Sequence, residues 1–268
     1  MSDPLFDLEG KVAVVTGGMG QLGAEYAAGL AARGMRVAIF DLETEPRSGG
    51  ADLTSGSIRA FEVDVTDRES IAQATAEVVA DWGVPHLLVN NAGIDAPPSA
   101  PAAEVGPFES YPEEAFDRVM DVNVKGTLLC CQVVGGTMAD SGRGSVVNVS
   151  SIYGILSPVQ SLYDFRREAG EEFVKPVAYS VSKSAIINLT RYLATYWAKS
   201  GVRVNTVTLA GVARDQADPF VQAYTERIPI GRMAEAREYV GVIVFLAADA
   251  SSYVTGANLV VDGGWSAW

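Results

Sequence analysis

Short runs rich in valine and other aliphatic residues recur along the chain, and most are separated by longer stretches with the period of a helix. The runs are VAVVTGG (12–18), RVAIFDLE (36–43), IRAFEVDV (58–65), HLLVNNAG (86–93), GSVVNVSS (144–151), VRVNTVTLAG (202–211) and ANLVVDGG (257–264). Between them QLGAEYAAGLAARG (21–34) reads as a helix closed by Gly34, and TDRESIAQATAEVVADWG (66–83) as a helix with Thr66 or Asp67 at its N-cap. Strands that are apolar along nearly their whole length call for a parallel sheet with helices on each side. A sheet wound that way binds its ligands beyond the carboxyl ends of the strands, where the strand order reverses.

Three segments break this rhythm: IDAPPSAPAAEVGPFESYPEE (94–114), SPVQSLYDFRREAGEEFVKP (157–176) and VARDQADPFVQAYTERIPIG (212–231). Each follows a strand end, so all three are expected to rim one pocket. No second domain is visible. Residues 1–268 are expected to form a single domain, with 157–176 as an insertion and 212–231 as a substrate lid. The chain has 268 residues, 48% of them hydrophobic, which is enough for a sizeable core. A net charge of −13 repels phosphates and argues against nucleic acid and membrane surfaces as partners. Cys130 and Cys131 are sequence neighbours within apolar GTLLCCQVV, so they are expected to be reduced core residues of a cytoplasmic protein. The start, MSDPLFDLEG, has no basic and apolar leader pattern, and no run is long enough to span a membrane.

TGGMGQLG (16–23) joins the first strand to the first helix. Without Cβ atoms the backbone amides of such a turn approach a pyrophosphate closely, and the helix N-terminus adds positive potential. Gly17, Gly20, Gln21, Leu22 and Gly23 are therefore candidate dinucleotide contacts. Asp41 ends the second strand, followed by Leu42. A carboxylate there accepts hydrogen bonds from adenosine ribose hydroxyls and repels a 2′-phosphate, which favours NAD over NADP. Arg47, a few residues on, is the one nearby cation that weakens this discrimination.

Residues 150–183 hold three tyrosines. A phenol titrates near pH 10, so acid–base work at neutral pH asks for a cation beside it. On a helix that partner stands four residues on. Tyr153 is followed at that spacing by Ser157, Tyr163 by Arg167 and Tyr179 by Lys183. Spacing leaves the last two open. Helical context favours Tyr179, which opens YSVSKSAIINLTRYLATYWAKSG, whereas Tyr163 lies among proline, serine and charged residues.

Taken in order, TGGMGQLG, DVTD (64–67), NNAG (90–93), Asn123 in MDVNVKG, VNVSS (147–151), YSVSK (179–183), VRVNTVTLAG and YVTGANLVVDGG (253–264) resemble a short-chain dehydrogenase/reductase over nearly the whole chain. The resemblance implies an α/β fold, a Rossmann-like doubly wound parallel sheet of about seven strands. It implies Tyr179 as general acid–base, Lys183 lowering its pKa and binding the nicotinamide ribose, and Ser151 bonding the substrate oxygen. Asn123 would hold a water in a proton relay. Asn90, Ala92 and Gly93 would flank the cofactor, Asp64 and Val65 the adenine, and Gly211 and Val212 the carboxamide end. No metal is called for. The family is commonly homotetrameric, and a homotetramer or homodimer is expected here. The helices at 113–140 and 179–200 and the aromatic end, with Trp265 and Trp268, are candidate interfaces.

The chain departs from the family pattern in three places. Gln21 stands where the usual turn has glycine, giving the spacing of the longer epimerase and dehydratase branch and predicting a shifted phosphate loop. Ser151 and Tyr179 are 28 positions apart, about twice the usual interval, so an insertion lies between them. Arg166 and Arg167 within it are candidates for an anionic substrate group or, as a blander reading, a solvated helix turn. Ala210–Gly211 replaces proline–glycine. The expected activity is an NAD(H)-dependent interconversion of a secondary alcohol and a ketone. The inserted region is similar to bacterial members linked to surface-sugar and flagellin modification, which points to a polar, sugar-like small molecule as substrate. A nucleotide-sugar epimerase or dehydratase and a non-catalytic dinucleotide-binding regulator are the alternatives.

Overall fold

The computed structural model describes residues 3–45, 51–96 and 100–268; Arg47 lies outside them. One parallel sheet of seven strands has the order β3-β2-β1-β4-β5-β6-β7. Its strands are β1 Val12–Thr16, β2 Arg36–Asp41, β3 Ile58–Glu62, β4 Leu87–Asn90, β5 Gly144–Ser151, β6 Val202–Leu209 and β7 Asn258–Val261. Every predicted run contains a strand, and most strands end before the run does. β1 stops at Thr16 because Gly17 turns at φ +62°. β4 stops at Asn90 because Asn91 and Ala92 give their N–H groups to the Thr16 hydroxyl, each at 3.0 Å. The strand order reverses between β1 and β4, whose carboxyl ends this knot ties together.

Each face of the sheet carries its own core. Tyr26 and Leu30 of α1 (Gln21–Ala31) pack with Met35, Ile243 and Leu246 on one face. Ile71 and Val78 of α2 (Arg68–Trp82) pack with Cys131, Val134 and Trp197 on the other. Asp67, rather than Thr66, caps α2, accepting from Glu69 N at 2.9 Å. Cys130 and Cys131 are free and buried. Residues 113–140 form one continuous helix interrupted by two wide π-type turns, Asp121–Gly126 and Cys131–Gly135. The helix Val177–Trp197 begins directly after Pro176, whose fixed φ suits a helix start.

A buried polar chain joins that helix to the sheet. Asn90 Nδ2 donates to Asn148 Oδ1 at 2.8 Å, Asn148 Nδ2 to Thr190 Oγ1 at 2.9 Å, and the Thr206 hydroxyl to Thr190 Oγ1 at 2.7 Å. All four residues are buried, so breaking one link costs about 1–3 kcal/mol.

The three irregular segments converge. Val174 N bonds Val105 O at 2.6 Å, linking 157–176 to 94–114. Tyr163 packs on Phe173 at 4.8 Å and on Phe220 at 5.5 Å between ring centroids, linking 157–176 to the helix Asp218–Thr225. A small third core of Ile152, Leu162, Tyr224, Ile228, Met233 and Trp265 lies under them. Trp265 is thus buried against Tyr224 at 4.4 Å, not a surface residue, whereas Trp268 is exposed. Ala210 N reaches Val261 O at 3.3 Å, a ladder bond between β6 and β7 that the usual proline has no N–H to make.

The two arginines of the insertion are engaged by their own segment. Arg167 donates to Phe173 O at 2.9 Å and Gln160 O at 2.7 Å and pairs with Asp164. Arg166 pairs with Glu171 at 2.5 Å and lies 4.0 Å over the Phe173 ring. Both side chains are spent on folding the segment that carries them. Of the two readings of these residues, the anion site is the one the contacts disfavour.

Candidate active site

The glycine turn is shaped by close approach. A Cβ on Gly18 would come within 2.6 Å of Ile39, and one on Gly23 within 2.2 Å of Gly17 O, so helix α1 meets the turn backbone directly. Gly20, at the N-cap of α1, contributes no side-chain cap, and its nearest neighbour would be 3.4 Å from an added Cβ. The amino end of α1 is therefore open, with its first amides free to meet an anion. Position 21 needs no glycine because Gln21 is exposed and points across the groove, where its amide donates to Ala213 O at 2.9 Å.

Asp41 stands at the carboxyl end of β2 and is largely buried. One carboxylate oxygen accepts from Met19 N at 2.9 Å and the other from Glu43 N at 3.3 Å. Each oxygen keeps a lone pair for a ribose hydroxyl. Leu42 beside it is exposed. Asp64 is exposed and closes a turn onto Thr66, with N and Oγ1 both at 2.8 Å, while Val65 is buried beneath Gly126. Gly93 lies where an added Cβ would sit 3.2 Å from Asn123 Oδ1 and 3.3 Å from Lys183 Nζ. Gly211 N donates to the Tyr224 hydroxyl at 2.7 Å, and Val212 pairs with Ala234. An uncapped helix end, a strand-end carboxylate and a glycine over the lysine fit a dinucleotide laid across the β1–β4 crevice.

Asn90 is placed differently from the other candidates. Its side chain is turned into the polar chain and also donates to Cys131 Sγ at 3.3 Å, so any part it takes at the groove is through its backbone.

The other three family positions come together with Tyr179. Ser151 ends β5, and its oxygen accepts from Tyr153 N at 3.2 Å. Ser151 lies beside the Tyr179 hydroxyl and pulls its pKa down against burial. Lys183, one turn on, is buried, with Nζ 5.7 Å from the Tyr179 ring centre and 3.0 Å from Val149 O. Asn123 lies in the first wide turn of its helix. Its side chain is committed to Ile94, with N–H at 2.7 Å and O at 2.9 Å, and to the Ser182 hydroxyl at 2.9 Å. It acts as a strut between the end of β4 and the Tyr179 helix.

Tyr163 lies beside Tyr153, and Arg167, four residues on, gives its guanidinium to Phe173 O and Gln160 O instead. Burial pushes the Tyr179 phenol up, the Asp95 carboxylate pushes the same way, and Ser151 only partly offsets them. Lys183 is itself desolvated and held at about 8, although Asp95 raises it. Asp95 and its partner Lys175 carry no family motif and went unnoticed in the sequence; their only signals are an acid directly after NNAGI and a lysine directly before the proline that starts the helix. A cavity of about 530 Å³, lined among others by Tyr111, Tyr153, Leu156 and Lys175, flanks the Ser151–Tyr179 pair without containing it.

Among known proteins, the family profile described as enoyl-(acyl carrier protein) reductase matches residues 18–266. The D-threitol dehydrogenase of Mycolicibacterium smegmatis is 34% identical, over 97% of this chain and 95% of its own. The crystal structure of a short chain dehydrogenase from Leptospira borgpetersenii with bound NAD+ superposes with TM-score 0.86 at 31% identity, covering 99% of this chain and 96% of that one. A gluconate 5-dehydrogenase from Burkholderia cenocepacia, in complex with NADP and tartrate, superposes with TM-score 0.82 at 25% identity, over 99% and 98% of the two chains.

Proposed function

The chain belongs to the short-chain dehydrogenase/reductase family, an NAD(P)-dependent oxidoreductase acting on CH–OH groups, and on that premise we propose that it interconverts a secondary alcohol of a polyol-like substrate and the corresponding ketone, using NAD(H). The observation that carries the reading is the convergence of Ser151, at the carboxyl end of β5, with Tyr179 and the buried Lys183 one helical turn on. Relatives named for threitol and gluconate support a polyhydroxylated substrate. Asp41 supports NAD, because a second negative group at the ribose would lie against its carboxylate; the NADP-bound neighbour is the reason to measure this directly.

A bound nicotinamide supplies the carbon that takes the hydride from the carbinol carbon. The chain's own groups handle the proton. Ser151 and Tyr179 hold the substrate oxygen between them. As the alcohol loses hydride, Tyr179 Oη accepts the hydroxyl proton, leaving a neutral ketone; in reduction Tyr179 returns it. Lys183, protonated, would pull the buried phenol back towards the phenolate that oxidation begins from. Asn123 fixes the loop that carries Gly93 and Ile94. Asp41, with Leu42, and Asp64, with Val65, would hold the adenosine. The amides at Gly17, Gly20, Gln21, Leu22 and Gly23 would hold the pyrophosphate. Ala92, Gly93, Gly211 and Val212 would line the nicotinamide end.

We read 1–268 as one domain in which 157–176 is an insertion and 212–231 a lid, since Tyr163 and Phe220 join them over the site. No helix among the described residues is long and apolar enough to cross a membrane, and the buried free cysteines support a cytoplasmic setting. A homo-oligomer is supported by the exposed apolar residues Leu128, Val181, Tyr192 and Tyr196 on the two long helices.

The test is a spectrophotometric panel of polyols with NAD and NADP, run on wild type and Tyr179→Phe. Turnover by wild type that falls by about 10²–10⁴-fold in the variant is expected. Turnover surviving in Tyr179→Phe, with the fold intact by circular dichroism, would overturn the assignment.

A further inference from the structure

Two ammonium groups lie near the Tyr179 ring. Lys183 Nζ is 5.7 Å from its centre and Lys175 Nζ 5.5 Å. The second lysine belongs to the insertion, and its side chain is only 9% exposed. It forms an ion pair with Asp95, across 80 positions of sequence. The other Asp95 oxygen accepts from Ala96 N at 2.8 Å, which fixes the carboxylate at the end of the β4 loop. A buried cation is costly unless paired, so Lys175 and Asp95 hold each other where they are.

We propose that Asp95, clamped by Lys175, is a positioning residue of the reaction: among the described residues it is the carboxylate set beside the Tyr179–Lys183 pair, and the clamp balances its charge. The proposal rests on the reading of Tyr179 and Lys183 as the acid–base pair. The groups facing that pair are few. Ser151 and Tyr153 come from the end of β5, with Tyr163 behind them. Asn123 comes from the helix at 113–140, Tyr224 from the lid, and Tyr111 neighbours Asp95 in its own loop. All of these are uncharged at neutral pH. Asp95, Lys175 and Lys183 are the charges of the set.

The electrostatics agree with the geometry. Burial lowers the Lys183 pKa to about 8, and Asp95 is what opposes it. For Tyr179, burial raises the phenol and Asp95 is the next cause in the same direction. An anion raises every pKa near it, so removing it lowers both groups. Unbalancing it by removing Lys175 raises both. The sign is therefore the same whichever member of the coupled pair carries the pH profile.

The test uses the whole enzyme with 13Cε-lysine. The chain's lysines are Lys11, Lys125, Lys175, Lys183 and Lys199, and the Lys183 signal is identified by its loss in Lys183→Arg. Asp95→Asn is expected to lower the Lys183 midpoint by about one pH unit, the scale for a nearby unit charge at an effective dielectric near ~20. Lys175→Met should raise it comparably, Lys175→Arg should hold it, and Asp95→Asn with Lys175→Met should restore it. The rising limb of polyol oxidation against pH should move in the same directions. An unmoved midpoint in Asp95→Asn, or a double variant that titrates like Asp95→Asn, overturns the proposal. If Lys175→Met does not fold, Asp95→Asn and Lys175→Arg decide alone. The NMR readout needs no turnover, so an inactive wild type would count against the proposed function separately.

Discussion

Lys183 makes the folded protein less stable at neutral pH than a neutral side chain of the same length would. Its pKa falls from the ordinary 10.5 to about 8, chiefly through burial. At about 1.4 kcal/mol per pH unit, that difference is about 3 kcal/mol for keeping the ammonium inside at pH 7. Lys183→Met removes the charge and also the Nζ bond to Val149 O, worth about 2 kcal/mol while the donor is charged. The variant is expected to be more stable than wild type by about 1 kcal/mol at pH 7. Between about pH 8 and 10.5 the unfolded chain binds the proton that the folded one has lost, so wild-type stability rises with pH through that window. At pH 9.5 the penalty has fallen to roughly 1 kcal/mol, the bond from the now neutral amine is worth about as much, and the variant's advantage has closed. Urea unfolding followed by tryptophan fluorescence, without cofactor, measures both values. A Met variant less stable than wild type by the same amount at both pH values would refute the reasoning. It would mean that Lys183 is held by its contacts, with no charge penalty.

Asp41→Ala should raise NADP efficiency relative to NAD at least about tenfold, read as kcat/KM for the two cofactors. It should also cost about 1 kcal/mol of stability, because Met19 N loses its acceptor. Sedimentation velocity should find a species larger than one chain, and Tyr192→Lys with Tyr196→Lys should shift it towards the monomer. Unchanged sedimentation in that variant would move the interface away from this helix face.

The sheet was legible because both-face burial leaves its strands as uninterrupted apolar runs, and β5 coincides with its run from Gly144 to Ser151. Tyr179 was legible through helical spacing to Lys183 and through the long helical pattern that it opens. The rest depended on where the chain returns. Asp95 and Lys175 meet across the sheet end, a pairing with no periodicity. Asn90 sits among groove residues in sequence, but its strand ends there with the side chain inward, where Asn148 and Cys131 wait. Arg167 has the right spacing from Tyr163, yet its own loop bends carbonyls onto the guanidinium. The upward pull on the Tyr179 phenol was hidden for the same reason, since a pattern of letters does not record how dry a site is.

The polar chain from Asn90 through Asn148 to Thr190 and Thr206 separates two jobs that run together along the sequence. The segment between Ser151 and Tyr179 connects them, but it does not set their spacing in the fold. Thr190, deep in the helix, is pinned to the middle of β5 and β6, so the height of Tyr179 above Ser151 is decided there. The connecting stretch is in that sense an interchangeable part. It can lengthen, shorten or carry new side chains over the pocket while the reacting pair keeps its alignment, and in this chain it brings Lys175 to that pair.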